Sequence, residues 1–299
     1  MVPGISFAGC GFMYPYYFGV TKYVSEHFDT SKLSVAGISS GCTAAASLAC
    51  GVTEMEHWKA FQQARKLWLR RLLGPFMIAT KNWIEPYLPT FEAHEKELLT
   101  ASREGRLTLG VTAISLRKSW WPLVSRVVDT FRSAKEFVYV VTCSQRLFPF
   151  YRWPTGYIEG EYVVDGGFSK DFAKPRNVSP EELVTVAPWT KVIGADICPQ
   201  KMESVWRFFI PPSRDRWERS MQAGYEDAKR LHDVFVRKGF PPISCAAKHT
   251  NDAERKADVR QATFNRNDSA AALLQAADSA SSLHCLTTRS RTKAAIDAV

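Results

Sequence analysis

The chain opens on a short apolar run, Gly4–Ala8, cut off by Gly9-Cys10-Gly11. A brief apolar run ended by glycine reads as a buried strand. Phe12–Phe28 follows, with Phe18, Tyr23 and Val24 spaced among polar positions, and predicts a helix. Leu33–Ala36 is a second apolar run, ending at Gly37. Gly41–Ala49 is small and alanine-rich, a composition that favours helix. The first 50 residues thus read strand, glycine turn, helix, strand, glycine turn, helix. That order predicts a parallel sheet with helical crossovers.

Thr53 and Glu56 have the spacing of a capping box at the start of a helix reaching about Leu73. Its Trp58, Phe61, Trp68 and Leu72 fall near one stripe, with Arg65, Lys66, Arg70 and Arg71 among them. An ordinary surface helix with one core face has this pattern, and so does a basic amphipathic helix on a membrane. Phe91–Glu104 predicts a polar helix, while Arg106–Leu116 alternates as a strand does. Val124–Phe131 is a further strand candidate. Phe137–Cys143 has strand propensity but follows the helix-like Ser133–Glu136, which leaves it open. Tyr157–Val164 predicts a strand that runs into Asp165-Gly166-Gly167. Leu183–Val186 and Val192–Ile197 predict two buried strands. Ser213–Lys238 predicts one long polar helix, with Ser213 as N-cap and Gly239 as the stop.

Composition changes this picture in three places. Of the 299 residues 45% are hydrophobic and 23% charged, which excludes a globally disordered chain. Beyond Cys245 the chain turns rich in Ala, Ser, Thr and charge, and Phe264 is the last aromatic residue. Residues 1–245 are therefore expected to form the folded domain, and 246–299 a mostly disordered tail with a nascent helix near Ala270–Ala280. The net charge is +9, of which the tail holds only +2. Such a surplus suits an anionic partner, but the basic residues are scattered and match no nucleic-acid motif.

The seven cysteines include no C-x-x-C pair, which speaks against a zinc knuckle or a redox motif. Small buried hydrophobes in a reducing compartment are the expectation. Two uncharged stretches, Val2–Thr21 and Leu33–Val52, have the length of a membrane span. The first lacks a basic start and is broken by Pro and Gly. The second is Ala, Ser and Gly, too weakly apolar to span. Burial inside a domain explains both.

The chemistry gathers at three glycine-marked turns. Gly37-Ile38-Ser39-Ser40-Gly41 is a G-x-S-x-G match between a predicted strand and a predicted helix, the setting of a nucleophile elbow. A turn that sharp crowds its own backbone, so Gly37 and Gly41 flank Ser39 without a Cβ. The alternative is that Ser39 merely caps the helix. Gly9-Cys10-Gly11 would let backbone N–H groups approach an oxyanion closely. A dinucleotide loop would need glycine where Tyr14 stands. Asp165, at a strand end, is either a turn cap or the partner of a hydroxyl. An ordinary Asp, with a pKa of about 3.9, is a weak base until it is desolvated. None of the six histidines lies at a strand end beside a turn, and Ser39 comes too early for an α/β-hydrolase nucleophile. A Ser–Asp dyad fits better than a triad.

Ser6–Phe12 (SFAGCGF), GISSG at 37–41 and VDGG at 164–167 together resemble the patatin-like phospholipase family, in its adipose triglyceride lipase and adiponutrin branch. GRLTLGVT (105–112), ADICPQ (195–200) and GYEDAKR (224–230) extend the resemblance over Gly4–Phe240. The chain departs from it at Met13-Tyr14-Pro15 and at Phe172–Pro175. The resemblance implies an α/β, patatin-like three-layer fold with a mostly parallel central sheet flanked by helices. It implies Ser39 as nucleophile and Asp165 as its base, with Gly9, Cys10 and Gly11 as the oxyanion loop. Gly166 and Gly167 complete the Asp-Gly-Gly motif, and neither metal nor cofactor is implied. The expected activity is hydrolysis of a lipid acyl ester, of acylglycerol or glycerophospholipid type, through an acyl-enzyme. Acyl transfer by the same dyad, or a lipid-surface binding protein with a dormant site, are the alternatives. The expected partner is a membrane or lipid-droplet surface, touched peripherally from the cytoplasm and not through nucleic acid. Trp120-Trp121 or Trp206–Pro212, beside Arg117, Lys118 and Arg207, are the candidate contacts.

Overall fold

The computed structural model describes residues 2–72, 84–115, 122–147, 151, 153–189, 194–201 and 204–243. Met1–Pro242 form one compact unit, and the second unit, Ile243–Val299, lies outside the described residues apart from Ile243. The expected tail, Trp120-Trp121, Arg117 and Lys118 therefore lie outside them too.

Seven strands form one mixed sheet flanked by helices. β1 (Gly4–Phe7), β2 (Ser34–Ile38), β3 (Leu107–Ile114) and β7 (Leu183–Val186) run parallel, in the spatial order β3-β2-β1-β7. β4 (Leu123–Val128), β5 (Gly156–Ile158) and β6 (Glu161–Val164) make the antiparallel flank. The parallel centre is the part the strand–helix–strand pattern predicts. Helix α1 (Pro15–His27) crosses from β1 to β2, and α2 (Gly41–Cys50), α3 (Glu54–Leu72), α4 (Leu88–Ala93) and α5 (Glu95–Arg103) lie between β2 and β3. α6 (Ala134–Ser144) follows β4, and α7 (Arg214–Arg230) and α8 (His232–Arg237) close the unit.

Several elements differ from expectation for local reasons. Tyr157–Val164 is a hairpin and not one strand: Glu159 (φ +48°) and Gly160 (φ +84°) both enter the left-handed region and reverse the chain. Two successive positive φ angles are what a tight two-residue hairpin needs. Phe137–Cys143 is helical, started by Ser133, whose hydroxyl accepts from the Glu136 N–H. The long polar helix breaks at Leu231, and Phe91–Glu104 breaks at His94. Of the expected strand Val192–Ile197, Ile197 makes one parallel bridge to Val186, and residues 190–193 lie outside the described set. The capping box is formed: Thr53 N–H donates to Glu56 Oε2 at 2.8 Å and Glu56 N–H to Thr53 Oγ1 at 3.3 Å.

The main core lies between the sheet and α1, α2, α5 and α6, and includes Ile5, Phe7, Phe18, Val35, Leu109 and Phe137. Cys10, Cys42, Cys50 and Cys143 are buried free thiols within it. Trp58 and Phe61 of α3 are buried against Trp217 of α7, which places that stripe in the core as far as Phe61. The side chains of Trp68, Arg70, Arg71 and Leu72 lie outside the described ones. The opposite sheet face carries a small cluster of Ala36, Ile38 and Ala173. Both uncharged stretches are thus central strands and their buried helices. Among the described residues no helix is long and apolar enough to cross a membrane.

The pairing of β3 sets up the site. Leu109 and Gly110 pair with β2 on one edge and β4 on the other. Thr112 and Ala113 pair with β6 on one edge and β4 on the other. β2 and β6 therefore share the same edge of β3, running toward one another. β2 ends at Ile38 beside Gly110, and β6 ends at Val164 beside Thr112. The residues that leave these two strand ends, Ser39 and Asp165, are forced to meet.

Candidate active site

Ser39 is one of two non-glycine residues with positive φ among the described residues, at +53°. Strain of that kind costs of order 1–3 kcal/mol and persists only where the surroundings hold it. Here every polar group of Ser39 is held. Its N–H donates to Ser144 Oγ at 2.8 Å, and its carbonyl accepts from Cys42 N–H at 3.1 Å and Gln145 Nε2 at 3.2 Å. Its hydroxyl donates to Asp165 Oδ2 at 2.8 Å. Ser39 therefore does not cap the helix; Ser40 occupies the N-cap position of α2, with no side-chain capping bond.

The flanking glycines are steric necessities. A Cβ on Gly37 would strike the backbone of Gly41 and Cys42, and one on Gly41 would strike the carbonyls of Phe7 and Ala8. Ser144 ties the elbow to the sheet: its hydroxyl donates to the Gly110 carbonyl while accepting from Ser39 N–H.

Asp165 serves as turn cap and hydroxyl partner at once. Oδ1 accepts from the Gly167 N–H at 2.9 Å, which leaves Oδ2 for Ser39. Gly166 sits so tightly against Gly110 and Ile38 that a Cβ would meet both, and this brings the Asp-Gly-Gly turn onto the end of β2. Asp165 is only 5% exposed. Burial raises its pKa from the ordinary carboxylate range to about 6, against the lowering effect of the Gly167 and Ser39 hydrogen bonds. The enclosing protein alone supplies the desolvation.

The glycine loop lies against the serine. A Cβ on Gly9 would come within 3.1 Å of the Ser39 Cβ. The Gly9 carbonyl accepts from Trp189 Nε1 at 3.0 Å, which fixes the peptide plane that carries the Cys10 N–H. That N–H donates to Ser40 Oγ at 2.9 Å. The Cys10 thiol lies 3.2 Å from the same hydroxyl, and burial pushes its pKa up to about 12. Gly11 has φ +53° and packs beneath Phe208, whose carbonyl and ring occupy the space a Cβ would need. Gly11, Phe12, Ser39, Ser40, Gln145, Leu147, Asp165 and Phe208 line one small pocket.

Sequence reasoning missed Ser40, Ser144, Gln145, Trp189 and Phe208. Ser144 and Gln145 end a helix more than 100 residues from Ser39, and no spacing rule connects them. Among the described residues no three His, Cys, Asp or Glu side chains gather as a metal site. His57 is buried, and its pKa is lowered to about 3 by that burial; Nε2 meets Ser47 Oγ.

No protein-family model matches the chain. Two relatives do. Patatin-like phospholipase domain-containing protein 2 of Homo sapiens is 27% identical over 205 residues, covering 66% of this chain and 37% of that protein. The protein of the same description from Mus musculus is 28% identical over 208 residues, covering 66% and 38%. The chain thus spans less than two-fifths of the length of these relatives. VipD from Legionella pneumophila is a distant structural likeness, with a TM-score of 0.44 and 12% identity over 78% of this chain and 67% of that one, too remote to bear on the site. Over about two-thirds of its length the chain is thus similar in sequence to patatin-like phospholipase domain-containing proteins.

Proposed function

We propose that the protein is a lipid acyl-ester hydrolase that works through a Ser39–Asp165 dyad and an acyl-enzyme. The observation that carries this is the 2.8 Å hydrogen bond from the Ser39 hydroxyl to Asp165 Oδ2 in the lined pocket. With a pKa of about 6, Asp165 is mostly ionised at neutral pH and is a better base than an ordinary Asp. Ser39 Oγ attacks the ester carbonyl carbon as its proton passes to Asp165 Oδ2. The carbonyl oxygen becomes an oxyanion. Asp165 then returns the proton to the departing alcohol oxygen, and the C–O bond breaks to leave Ser39 acylated. Water attacks the acyl carbon with Asp165 again as base, which releases the fatty acid and restores the Ser39 hydroxyl.

The oxyanion is assigned to the Gly9-Cys10-Gly11 loop. Gly11 lines the pocket, and the Cys10 N–H joins it when the Ser40 hydroxyl yields its hydrogen bond. The substrate class is an acyl ester of glycerol, neutral or phosphorylated, presented at a lipid surface. Trp206, Phe209 and Ile210 are exposed on the turn whose Phe208 lines the pocket, so a lipid surface touching that turn lies beside the serine.

The test is fatty-acid release from mixed acylglycerol emulsions and phospholipid vesicles by wild type and Ser39→Ala. Release by the wild type that is lost in the variant supports the reading. Equal release by both, or none by either, contradicts it.

A further inference from the structure

Gln145 is 4% exposed and lines the same pocket as Ser39 and Asp165. Its amide orientation is fixed by chemistry: one end faces the Ser39 carbonyl, which only accepts, so that end must be the NH2 group. The same nitrogen is 3.5 Å from Thr43 Oγ1. The other end, Oε1, is a buried acceptor with no hydrogen-bond partner among the described residues. An amide oxygen buried without a donor costs about 1–3 kcal/mol, and such a group beside a reactive serine calls for an occupant. Its neighbours restrict what that occupant is. An acceptor repels an oxyanion, a carbonyl or a phosphate oxygen, and it attracts an O–H.

We propose that Gln145 Oε1 is the binding group for a hydroxyl donor in the acyl-ester site. The assignment rests on the hydrolase reading above. Two sources supply that chemistry. One is a free hydroxyl on the glycerol next to the scissile ester, as in a monoacylglycerol, a diacylglycerol or a lysophospholipid. The other is the water that deacylates Ser39. In both cases the O–H stands on the leaving-group side of the acyl carbon and donates to Oε1, while the Nε2 end keeps hold of the Ser39 carbonyl.

The experiment compares two esters on the full-length protein: 1-monoacylglycerol and the matching monoacyl ester of 1,3-propanediol, which lacks the neighbouring hydroxyl. It also follows the rate at which a fluorophosphonate phosphonylates the serine with loss of fluoride, a reaction that needs neither hydroxyl. If the substrate hydroxyl is the occupant, the wild type prefers the monoacylglycerol by about tenfold in kcat/KM, the size of one good hydrogen bond. Gln145→Met also removes the Nε2 contact to the Ser39 carbonyl and so slows labelling and both esters alike, but it erases the preference itself, a ratio that the lost contact does not change. If water is the occupant, the wild type shows no preference. Gln145→Met then slows steady turnover of both esters by about tenfold more than it slows labelling, and exposes a burst of released alcohol. Gln145→Asn, which keeps the amide but withdraws it by one methylene, serves if the Met variant does not fold. Unchanged kinetics in the variant overturn the proposal. So does a fall in labelling proportional to the fall in turnover that leaves the ratio between the two esters unchanged, which marks Gln145 as a support for the Ser39 carbonyl alone. Turnover of neither ester by the wild type removes the hydrolase reading itself, whereas wild-type turnover without a Gln145 effect removes only this proposal.

Discussion

The Ser39 hydroxyl and the Asp165 carboxylate are 126 positions apart in sequence and 2.8 Å apart in space. β2 and β6 end against one another on a single edge of β3, so the two turns that leave them converge. A one-residue slip of β6 along β3 would flip its side chains and carry Asp165 away from the serine. The antiparallel flank is therefore as much a part of the site as the parallel centre.

Asp165 must be ionised to take the serine proton. With burial raising its pKa to about 6, kcat/KM falls as pH drops through about 6 and is level above it until another group intervenes. Asp165→Asn removes the base and is expected to lower turnover by ~10²–10⁴-fold. A pH–rate profile of the wild type on a water-soluble ester checks this. Activity that stays level down to pH 4.5, or near-normal turnover in the variant, contradicts it.

The same shift has a cost in stability with a definite sign. An unfolded Asp ionises near 3.9, whereas folded Asp165 ionises at about 6. Between those values the folded state holds a proton that the unfolded state has lost, so this group makes stability fall as pH rises. The full penalty, up to about 3 kcal/mol, is present above pH 6 and absent below about pH 4. Asp165→Asn escapes it. Urea unfolding of both proteins at pH 4.5 and pH 8 is expected to show the variant gaining on the wild type by about 2 kcal/mol at the higher pH. A constant difference between the two proteins contradicts the raised pKa.

Gly37 and Gly41 leave no room for a methyl group, because the atoms in its way are backbone. Gly37→Ala and Gly41→Ala are each expected to cost about 1–3 kcal/mol and to displace Ser39. Urea midpoints equal to the wild type, together with full activity, would show that the elbow yields.

Trp206 is 69% exposed, and Ile210 is exposed on the same turn. Trp206→Ala combined with Ile210→Ala is expected to weaken co-sedimentation with phosphatidylcholine–phosphatidylserine vesicles at least about fivefold. Hydrolysis of a water-soluble ester stays unchanged, since neither side chain lines the pocket. Unaltered vesicle binding would place the lipid contact elsewhere.

The site was legible where its signals are local. Ser39 stands in a strand–turn–helix motif with its own glycines, and Asp165 precedes two more, so sterics inscribe both positions in short strings. The hairpin before Asp165 was hidden because Glu159 enters the left-handed region without the usual Asn or Asp, and Tyr157–Val164 reads as one strand. Helix α6 was ambiguous because Phe137–Cys143 is buried on nearly all sides, which erases periodicity. Ser144 and Gln145 inherit that ambiguity, since their roles come from tertiary contacts with Ser39 and Gly110. The Cys10 N–H reads from sequence as a free oxyanion donor, and only the fold shows Ser40 Oγ bound to it.

The central claim is that Ser39 is a nucleophile activated by Asp165. Covalent labelling by a fluorophosphonate probe in the presence of lipid vesicles, followed by peptide mapping, tests it most directly. The account predicts a single adduct on Ser39, none in Ser39→Ala, and labelling slowed by at least about 10²-fold in Asp165→Asn. Failure of the wild type to label, or an adduct that persists in Ser39→Ala, would contradict it.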